Sequence, residues 1–188
     1  RLGIAFLISI ILIVLTIALN FKSFYQARLI LMVVPIGIFS AILGHGIIGK
    51  PFSIMSVWGV IALIGILVND AVVMLDKYNR NIAEGMNMND AVISAGTSRF
   101  RAIILTTITT FVGLFPLILE KSFQAQFLIP MAISVAFGVL FGTIILLLYF
   151  PSLILYFNDM RRARWWLWIG GDTPPTKMDV EPYTNLQK

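Results

Sequence analysis

Five long apolar runs constrain this chain more than any other feature. They cover residues 2–19, 29–48, 53–75, 102–119 and 127–157. At about 1.5 Å per residue, a helix formed by each run is long enough to cross a hydrocarbon core of about 30 Å. A globule of 188 residues has nowhere to bury so many apolar runs, so lipid must be their solvent. We predict an all-α membrane protein, a bundle of five transmembrane helices.

The composition agrees with a membrane protein and excludes several functions. Charged residues make up 12% of the sequence, about half the fraction typical of a soluble domain. The net charge of +5 does not indicate nucleic-acid binding, because the basic residues lie in the gaps between apolar runs. The sequence has no cysteine, no phosphate-binding loop and no metalloprotease or nucleophile-elbow motif. We therefore predict no enzyme activity, no cofactor and no metal site.

The basic residues also predict the orientation of the chain. Five spans place its two ends on opposite sides of the membrane. Eleven lysines and arginines fall on the side of the C-terminus, whereas only Arg1, Lys50 and Lys121 fall on the other. Because basic residues accumulate in cytoplasmic loops, we predict a cytoplasmic C-terminus and an external residue 1.

The segments outside the spans divide the chain into three parts. Residues 1–158 form the predicted bundle, in which the helix N-cap side chains of residues 87–90 predict a short cytoplasmic interfacial helix between the third and fourth spans. Residues 159–169 combine arginines with tryptophans and form either a segment along the inner leaflet or an aromatic belt that ends the last span. Residues 170–188 are polar and contain three prolines, so we predict a disordered cytoplasmic tail.

An acidic residue inside the third run is the strongest functional signal. Asp70, preceded by Asn69, lies seven residues before Lys77 and hence about 10 Å from the inner end of its helix. A carboxylate inside a span costs roughly 2.5–3.5 kcal/mol on insertion scales, and such residues mark ion or proton pathways. The alternative is that Asp70 only holds helices together. We favour an ion-relay role, because placing an ionisable group in a span costs more free energy than helix association requires.

The fourth run contains a threonine cluster at a similar depth. Thr106, Thr110 and Gly113 share one helix face, and Thr106 lies five residues past Arg101. The hydroxyls of Thr106 and Thr110 are suited to hydrogen-bond the Asp70 carboxyl or to hold a water chain. Threonines in membrane helices also bond their own backbone or a neighbouring helix without further function. For the threonines alone, that structural role is the favoured interpretation.

Four glycines are predicted to let helices approach closely. Gly138 and Gly142 have the spacing of a helix-packing motif, and Gly65 and Gly113 flank the polar positions on the third and fourth runs. Glycine is common in membrane helices, so these residues predict contact rather than chemistry. The lone His45 at the outer end of the second run is interpreted as a loop residue rather than a ligand.

The segments that contain Asp70 and Thr106 resemble a known family. Residues 65–76 read GILVNDAVVMLD, residues 84–86 read EGM, residues 98–107 read SRFRAIILTT, and residues 110–117 read TFVGLFPL. They are similar to the tenth-helix and eleventh-helix signatures of the resistance-nodulation-division (RND) efflux transporters. The resemblance is to the hydrophobe/amphiphile efflux branch and extends from the first span to about residue 159.

The resemblance implies a much larger protein. RND pumps have twelve spans and two large periplasmic domains, so this chain corresponds to spans eight to twelve and to the C-terminal transmembrane half. The family implies a homotrimer in the inner membrane of a Gram-negative bacterium, where it exchanges small amphiphilic substrates for protons. Its implied partners are the lipid bilayer, the N-terminal half of the same transporter, a periplasmic adaptor and an outer-membrane channel.

The resemblance also assigns roles to individual residues. Asn69 falls where well-studied pumps have a relay lysine, and Asp70 falls where they have asparagine. Thr106 matches the relay threonine of the eleventh helix, and Arg99 matches an arginine at its cytoplasmic entrance. Without the lysine, carboxylate–lysine switching cannot operate in its usual form. Asp70 is expected to take over part of the titration with paired aspartates on the absent fourth span, and sodium coupling is an alternative.

Three functions are compatible with these observations. The leading hypothesis is the membrane half of a proton-driven multidrug efflux permease. A non-transporting membrane scaffold or sensor is the second, since related membrane folds serve sterol sensing. A truncated fragment that is inactive alone is the third. Drug selection in this family belongs to the periplasmic domains, which this sequence lacks, so the sequence does not predict the substrate.

Overall fold

The computed structural model describes Leu12, Leu15, Thr16 and residues 24–169. Helices account for nearly all of these residues, and the described ranges contain no β-strand. We number the helices of residues 24–169 in chain order: α1 Phe24–Leu31, α2 Val33–Ile48, α3 Ile54–Ala83, α4 Met88–Leu119 and α5 Phe123–Ile169.

A single residue separates α1 from α2. Met32 is in a turn, although its N–H still donates to the Arg28 carbonyl at 3.3 Å. Pro35 explains the interruption, because it has no N–H to donate to the Leu31 carbonyl one turn earlier. The two helices still form one apolar segment, Tyr25–Ile48, that is long enough to cross a membrane.

The described residues contain four candidate membrane spans. They are Tyr25–Ile48, Ile54–Ala83, Met88–Leu119 and Phe123–Trp168. These segments correspond to the second, third, fourth and fifth predicted spans and confirm an all-helical membrane protein. The first predicted span, residues 2–19, lies outside the described residues except for Leu12, Leu15 and Thr16, which are helical. The prediction of a fifth span therefore stays a prediction.

The structure corrects the prediction of a separate interfacial helix between the third and fourth spans. A helix does begin at Met88, with Asn87 as its N-cap, but it continues without a break to Leu119. No proline lies between residues 88 and 115 to end it. The polar first turns and the apolar span are therefore one helix of 32 residues.

The last helix is also longer than its apolar run. α5 contains 47 residues, which corresponds to about 70 Å and exceeds a hydrocarbon core of about 30 Å. The basic and aromatic residues 159–169 therefore extend this helix and do not form a separate element. The predicted disordered tail, residues 170–188, lies outside the described residues.

The turns between the helices have clear sequence causes. α2 ends at Gly49, whose φ of 70° suits glycine, and Pro51 prevents its continuation. α3 begins with a capping box, in which the side chains of Ser53 and Ser56 each accept a backbone N–H of the other residue. Before α5, the Glu120 carboxylate accepts the backbone N–H groups of Lys121 and Ser122.

The seam between α3 and α5 is closely packed over several turns. Gly59, Leu63 and Leu67 recur every four residues on α3 and face Ser134, Gly138 and Gly142, which recur every four residues on α5. A methyl group at Gly59 would lie 2.6 Å from the Met131 carbonyl oxygen, and one at Gly142 would lie 2.9 Å from Leu67 Cδ1. Small residues on each helix therefore leave room for the backbone or the larger side chains of the other helix.

The other helices pack against α5, part of which remains exposed. The chain of α2 runs antiparallel to α5, with Gly44 against Phe137 and Ser40 beside Gly142. α4 contacts α5 through an edge-to-face pair of Phe111 and Phe137 rings, 5.4 Å apart. However, α4 has no fully buried residue after Thr107. The C-terminal half of α4 therefore lies at the periphery of the described bundle.

The helix order places the basic residues at one end of the bundle. The start of α1, the end of α3, the start of α4 and the end of α5 meet there, as shown by the hydrogen-bonded pair Gln26–Asn79 and the contact of Arg161 with Tyr25. Of the ten lysines and arginines between residues 24 and 169, only Lys50 and Lys121 lie at the opposite end. We refer to the two ends as the basic end and the opposite end.

Replacement of Gly59 by alanine is expected to separate α3 from α5. The added methyl group meets a backbone carbonyl, which cannot rotate away, so we expect a loss of about 1–3 kcal/mol in stability. In Gly46→Ala, the methyl group meets no atom within 4 Å in the described structure. Thermal unfolding of the purified full transporter should therefore show a lower Tm for Gly59→Ala and an unchanged or higher Tm for Gly46→Ala. Equal melting of both variants would contradict the packing of this seam.

Candidate ion-relay site

Asp70 lies at the edge between the packed and the uncovered surface of α3. The neighbouring side chains of Leu67 and Ala71 are fully buried, whereas Asp70 is partly buried and Asn69 is exposed. No hydrogen bond or ion pair joins Asn69 or Asp70 to another residue in the described part of the chain. The acidic side chain within this span is thus directed neither into the core nor to a partner in these helices.

The threonines of α4 mostly bond their own helix. The hydroxyls of Thr106 and Thr109 donate to the carbonyls of Ala102 and Leu105, at 3.0 and 2.9 Å. Both residues are exposed on the described bundle. The geometry joins neither hydroxyl to Asp70. Self-bonding is the structural role that the sequence favoured for the threonines taken alone.

A different threonine makes the contact between helices. The buried Thr107 hydroxyl lies 2.9 Å from the Ile103 carbonyl oxygen and 3.0 Å from the Thr143 hydroxyl on α5. Thr143 follows Gly142, which packs on Leu67 of α3. Thr106 and Asn69 therefore lie at a similar level of the bundle, one residue before Thr107 and two residues after Leu67.

Arg99 lies in the polar first turns of α4, near the basic end. It is partly buried and forms no ion pair within residues 24–169. The structure thus places Arg99 two turns before Thr106 on the same helix. It does not bring the guanidinium together with Asp70.

The four predicted packing glycines fall into two pairs with different surroundings. Gly138 and Gly142 lie against Leu63 and Leu67 in the seam between α3 and α5. At Gly65 and Gly113, a methyl group would meet no atom within 4 Å in the described structure. Gly65, Asn69, Thr106, Thr109 and Gly113 thus belong to the uncovered surface of α3 and α4, with Asp70 at its edge. We call this surface, including Asp70, the open face.

Two buried polar pairs were not predicted from the sequence. Gln26 and Asn79 exchange two side-chain hydrogen bonds, at 2.8 and 3.0 Å, between α1 and α3 at the basic end. At the opposite end, His45 lies 2.8 Å from the Ser56 hydroxyl and 3.1 Å from the Ala41 carbonyl. The interpretation of His45 as a loop residue is wrong, because it is within α2 and only 4% exposed. A polar residue on an otherwise apolar helix face was the available signal.

The described residues contain no cluster of three or more potential metal ligands. The polar groups of the open face are one carboxylate, one amide and several hydroxyls. Such a set is able to bind and release a proton, or to hold water or a cation with additional ligands from elsewhere. It contains no nucleophile–base pair suited to covalent chemistry.

The fold and this site define a multi-pass helical membrane protein with an ionisable group inside a span. The chain belongs to the AcrB/AcrD/AcrF family of RND efflux transporters, whose sequence profile matches residues 1–158. This match confirms the family resemblance read from residues 65–117.

Relatives of known name agree with this assignment. Multidrug resistance protein MdtC of Erwinia tasmaniensis is 29% identical over 154 residues, which are 81% of this chain and 15% of that protein. Swarming motility protein SwrC of Bacillus subtilis is 30% identical over 165 residues, 87% of this chain and 16% of the relative. A crystal structure of a heavy metal efflux pump superposes with a TM-score of 0.75 and 26% identity, covering 86% of this chain and 16% of the pump. The chain thus spans about one sixth of the length of these relatives.

Proposed function

We propose that this chain is the C-terminal transmembrane half of a proton-motive-force-driven RND multidrug efflux permease, and that it supplies part of the proton relay. Membership of the AcrB/AcrD/AcrF family supports the efflux function. Its relatives include multidrug resistance protein MdtC, and its structural neighbours include a heavy metal efflux pump. The coupling of export to protons rests on the residues of the open face.

The position of Asp70 is the observation that carries this proposal. A carboxylate within a span is costly unless it is paired, protonated or hydrated. The described helices offer Asp70 no hydrogen-bond or ion-pair partner and leave its surroundings partly open. In our proposal, residues of the N-terminal half cover the open face, and Asp70 binds and releases a proton there during each transport cycle.

Asn69 and Thr106 would support this proton transfer from the same open face. Both side chains are exposed in the described bundle and lie at similar levels. A neutral amide at Asn69 cannot replace the charge of a relay lysine. Asp70 therefore has to change its own protonation state, or bind a sodium ion, for the site to couple transport to an ion gradient.

The proposed assembly rests on the family and on the length of its members. This chain corresponds to 15% to 16% of those proteins, so most of the transporter lies outside it. We propose a homotrimer in the bacterial inner membrane that works with a periplasmic adaptor and an outer-membrane channel to export small amphiphilic substrates. In the proposed orientation, the basic end faces the cytoplasm.

Asp70→Asn in the full transporter is expected to abolish export. The amide keeps the size of the side chain but cannot cycle a proton or carry its charge. The matched control is Asp76→Asn, which removes an acidic residue six positions later. Asp76 is partly exposed and bonded to Arg80 at 3.0 Å, and exposed pairs of this kind contribute about 0–1 kcal/mol. Drug accumulation in cells should rise to the level of transporter-free cells only for Asp70→Asn, at equal expression.

The same experiment separates this function from its alternatives. Normal drug efflux by Asp70→Asn cells would contradict the relay role. Absence of efflux from the unmodified transporter would favour the scaffold or sensor, or an inactive truncated fragment. Proteoliposomes identify the coupling ion, because a proton relay predicts transport driven by a pH gradient without sodium. Transport that requires a sodium gradient would show that sodium, and not the proton, is the coupling ion.

Thr106→Ala is expected to reduce export, whereas Thr109→Ala should leave it nearly unchanged. The two threonines are both exposed and each bonds a carbonyl four residues earlier, so the structural loss is similar in both variants. Only Thr106 is assigned to the relay. Thr106→Ser retains the hydroxyl and should restore export. Equal losses in Thr106→Ala and Thr109→Ala would indicate that Thr106 has a structural role alone.

The proposed orientation predicts a simple labelling pattern. The chain has no cysteine, so single cysteines can be introduced into a transporter freed of other thiols. Glu84 and Lys121 are both exposed, in turns at the basic end and at the opposite end. A membrane-impermeant maleimide should label Lys121→Cys in intact spheroplasts and Glu84→Cys only after permeabilisation. The reverse pattern would overturn the orientation.

A further inference from the structure

A cleft at the basic end of the bundle is separate from the open face. It lies between α1 and α5 and has a volume of about 310 Å³. Its lining consists of Tyr25, Arg28, Phe157, Met160, Arg161 and Arg164. Three of these six side chains are arginines, and none is acidic, so the cleft is suited to an anion.

The arginines of the cleft have no acidic partner in the described part of the chain. Asp159, the nearest acidic residue in sequence, bonds Arg162 at 3.4 Å instead. One terminal nitrogen of Arg161, Nη1, is buried and has no hydrogen-bond partner among the described residues. A buried charged donor without an acceptor is costly. The hydrogen-bonding capacity of Arg161 is therefore not used up within the described bundle.

Aromatic contacts hold Arg161 in place. Its guanidinium lies over the Tyr25 ring, 4.8 Å from the ring centroid, and the Tyr25 ring packs edge-on against Phe157 at 6.1 Å. Stacking covers the flat face of the guanidinium and leaves its N–H edge available for hydrogen bonds. This edge is suited to bind two oxygens of a phosphate group.

The surface next to the cleft is apolar and favours an anion that carries an apolar chain. Exposed apolar side chains form a stripe along α5 at Ile144, Leu148, Tyr149, Tyr156 and Met160, and the stripe leads into the cleft at Met160. The exposed tryptophans 165, 166 and 168 follow on the other side, as is typical of a membrane interface. A soluble anion would use the arginines alone, whereas a phospholipid would use the arginines and the stripe.

We propose that the cleft between α1 and α5 binds the phosphate headgroup of an anionic phospholipid, with an acyl chain along the apolar stripe of α5. Arg161 and Arg28 bind the phosphate, Arg164 adds charge, and Met160 contacts the start of the acyl chain. Basic pockets between helices on the cytoplasmic side are suited to anionic headgroups in general.

The test uses the full transporter purified in detergent and titrated with phosphatidylglycerol or with phosphatidylcholine of the same chain length. Native mass spectrometry counts the bound lipids. A photoactivatable phosphatidylglycerol, digested and mapped after illumination, should crosslink within residues 144–161. Arg161→Gln is expected to weaken the tightest phosphatidylglycerol-binding step about tenfold, the loss of one charged hydrogen-bonding group.

The matched control is Arg101→Gln, which removes an exposed arginine at the same end but outside the cleft. Its binding of phosphatidylglycerol should be unchanged. If Arg161→Gln lowers the Tm of the transporter, Arg164→Gln decides instead, because its exposed side chain has no packing role. A preference for phosphatidylglycerol that is lost in the cleft variant alone supports the proposal.

Four results would overturn the proposal. Equal binding of phosphatidylcholine would mean that charge is not recognised. An equal loss in Arg101→Gln would mean general adsorption to the basic end. Displacement of the lipid by inorganic phosphate, beyond the effect of sodium chloride at equal ionic strength, would identify a soluble-anion site. Tighter lipid binding after removal of residues 170–188 would show that the C-terminal tail of the chain itself competes for the cleft.

Discussion

The contact between α3 and α5 supports the other features of this bundle. Apolar side chains gain little by leaving lipid for protein, so helices in a membrane associate mainly through close packing. Gly59 and Leu63 on α3, and Gly138 and Gly142 on α5, allow that packing over several turns. The remaining helices pack around α5, which is the most central helix, and their rotations determine which side chains are left on the open face.

Buried polar residues and those of the open face serve different purposes. Gln26–Asn79, His45–Ser56 and Thr107–Thr143 pair side chains between helices inside the bundle and satisfy each other there. The polar groups of the open face are not paired in this way. A membrane protein cannot leave a carboxylate such as Asp70 beside lipid without cost, which is why we propose that the N-terminal half of the transporter completes the site.

The two ends of the bundle differ in chemistry as well as in charge. The opposite end is joined by a buried histidine–serine contact and short turns. The basic end carries long helix extensions, arginines and tryptophans, which are suited to the headgroup region of a negatively charged leaflet. The proposed lipid site would anchor α5 at that end. Because the other helices pack against α5, this helix would connect lipid binding with the helices that carry Asp70 and Thr106.

The sequence by itself determined the helical class, the positions of the apolar runs within α2 to α5, the segregation of basic residues and the family. These features depend only on the order of apolar and polar residues along the chain. That order is easy to interpret because placing unpaired polar groups in lipid costs several kcal/mol. Only the tertiary structure decided that Gly138 and Gly142 pack closely while Gly65 and Gly113 remain open, that Thr107 rather than Thr106 reaches α5, and that residues 88–119 form one helix. Those outcomes depend on the rotation of each helix about its axis. In a span that is apolar on most sides, only contacts with other helices define that rotation.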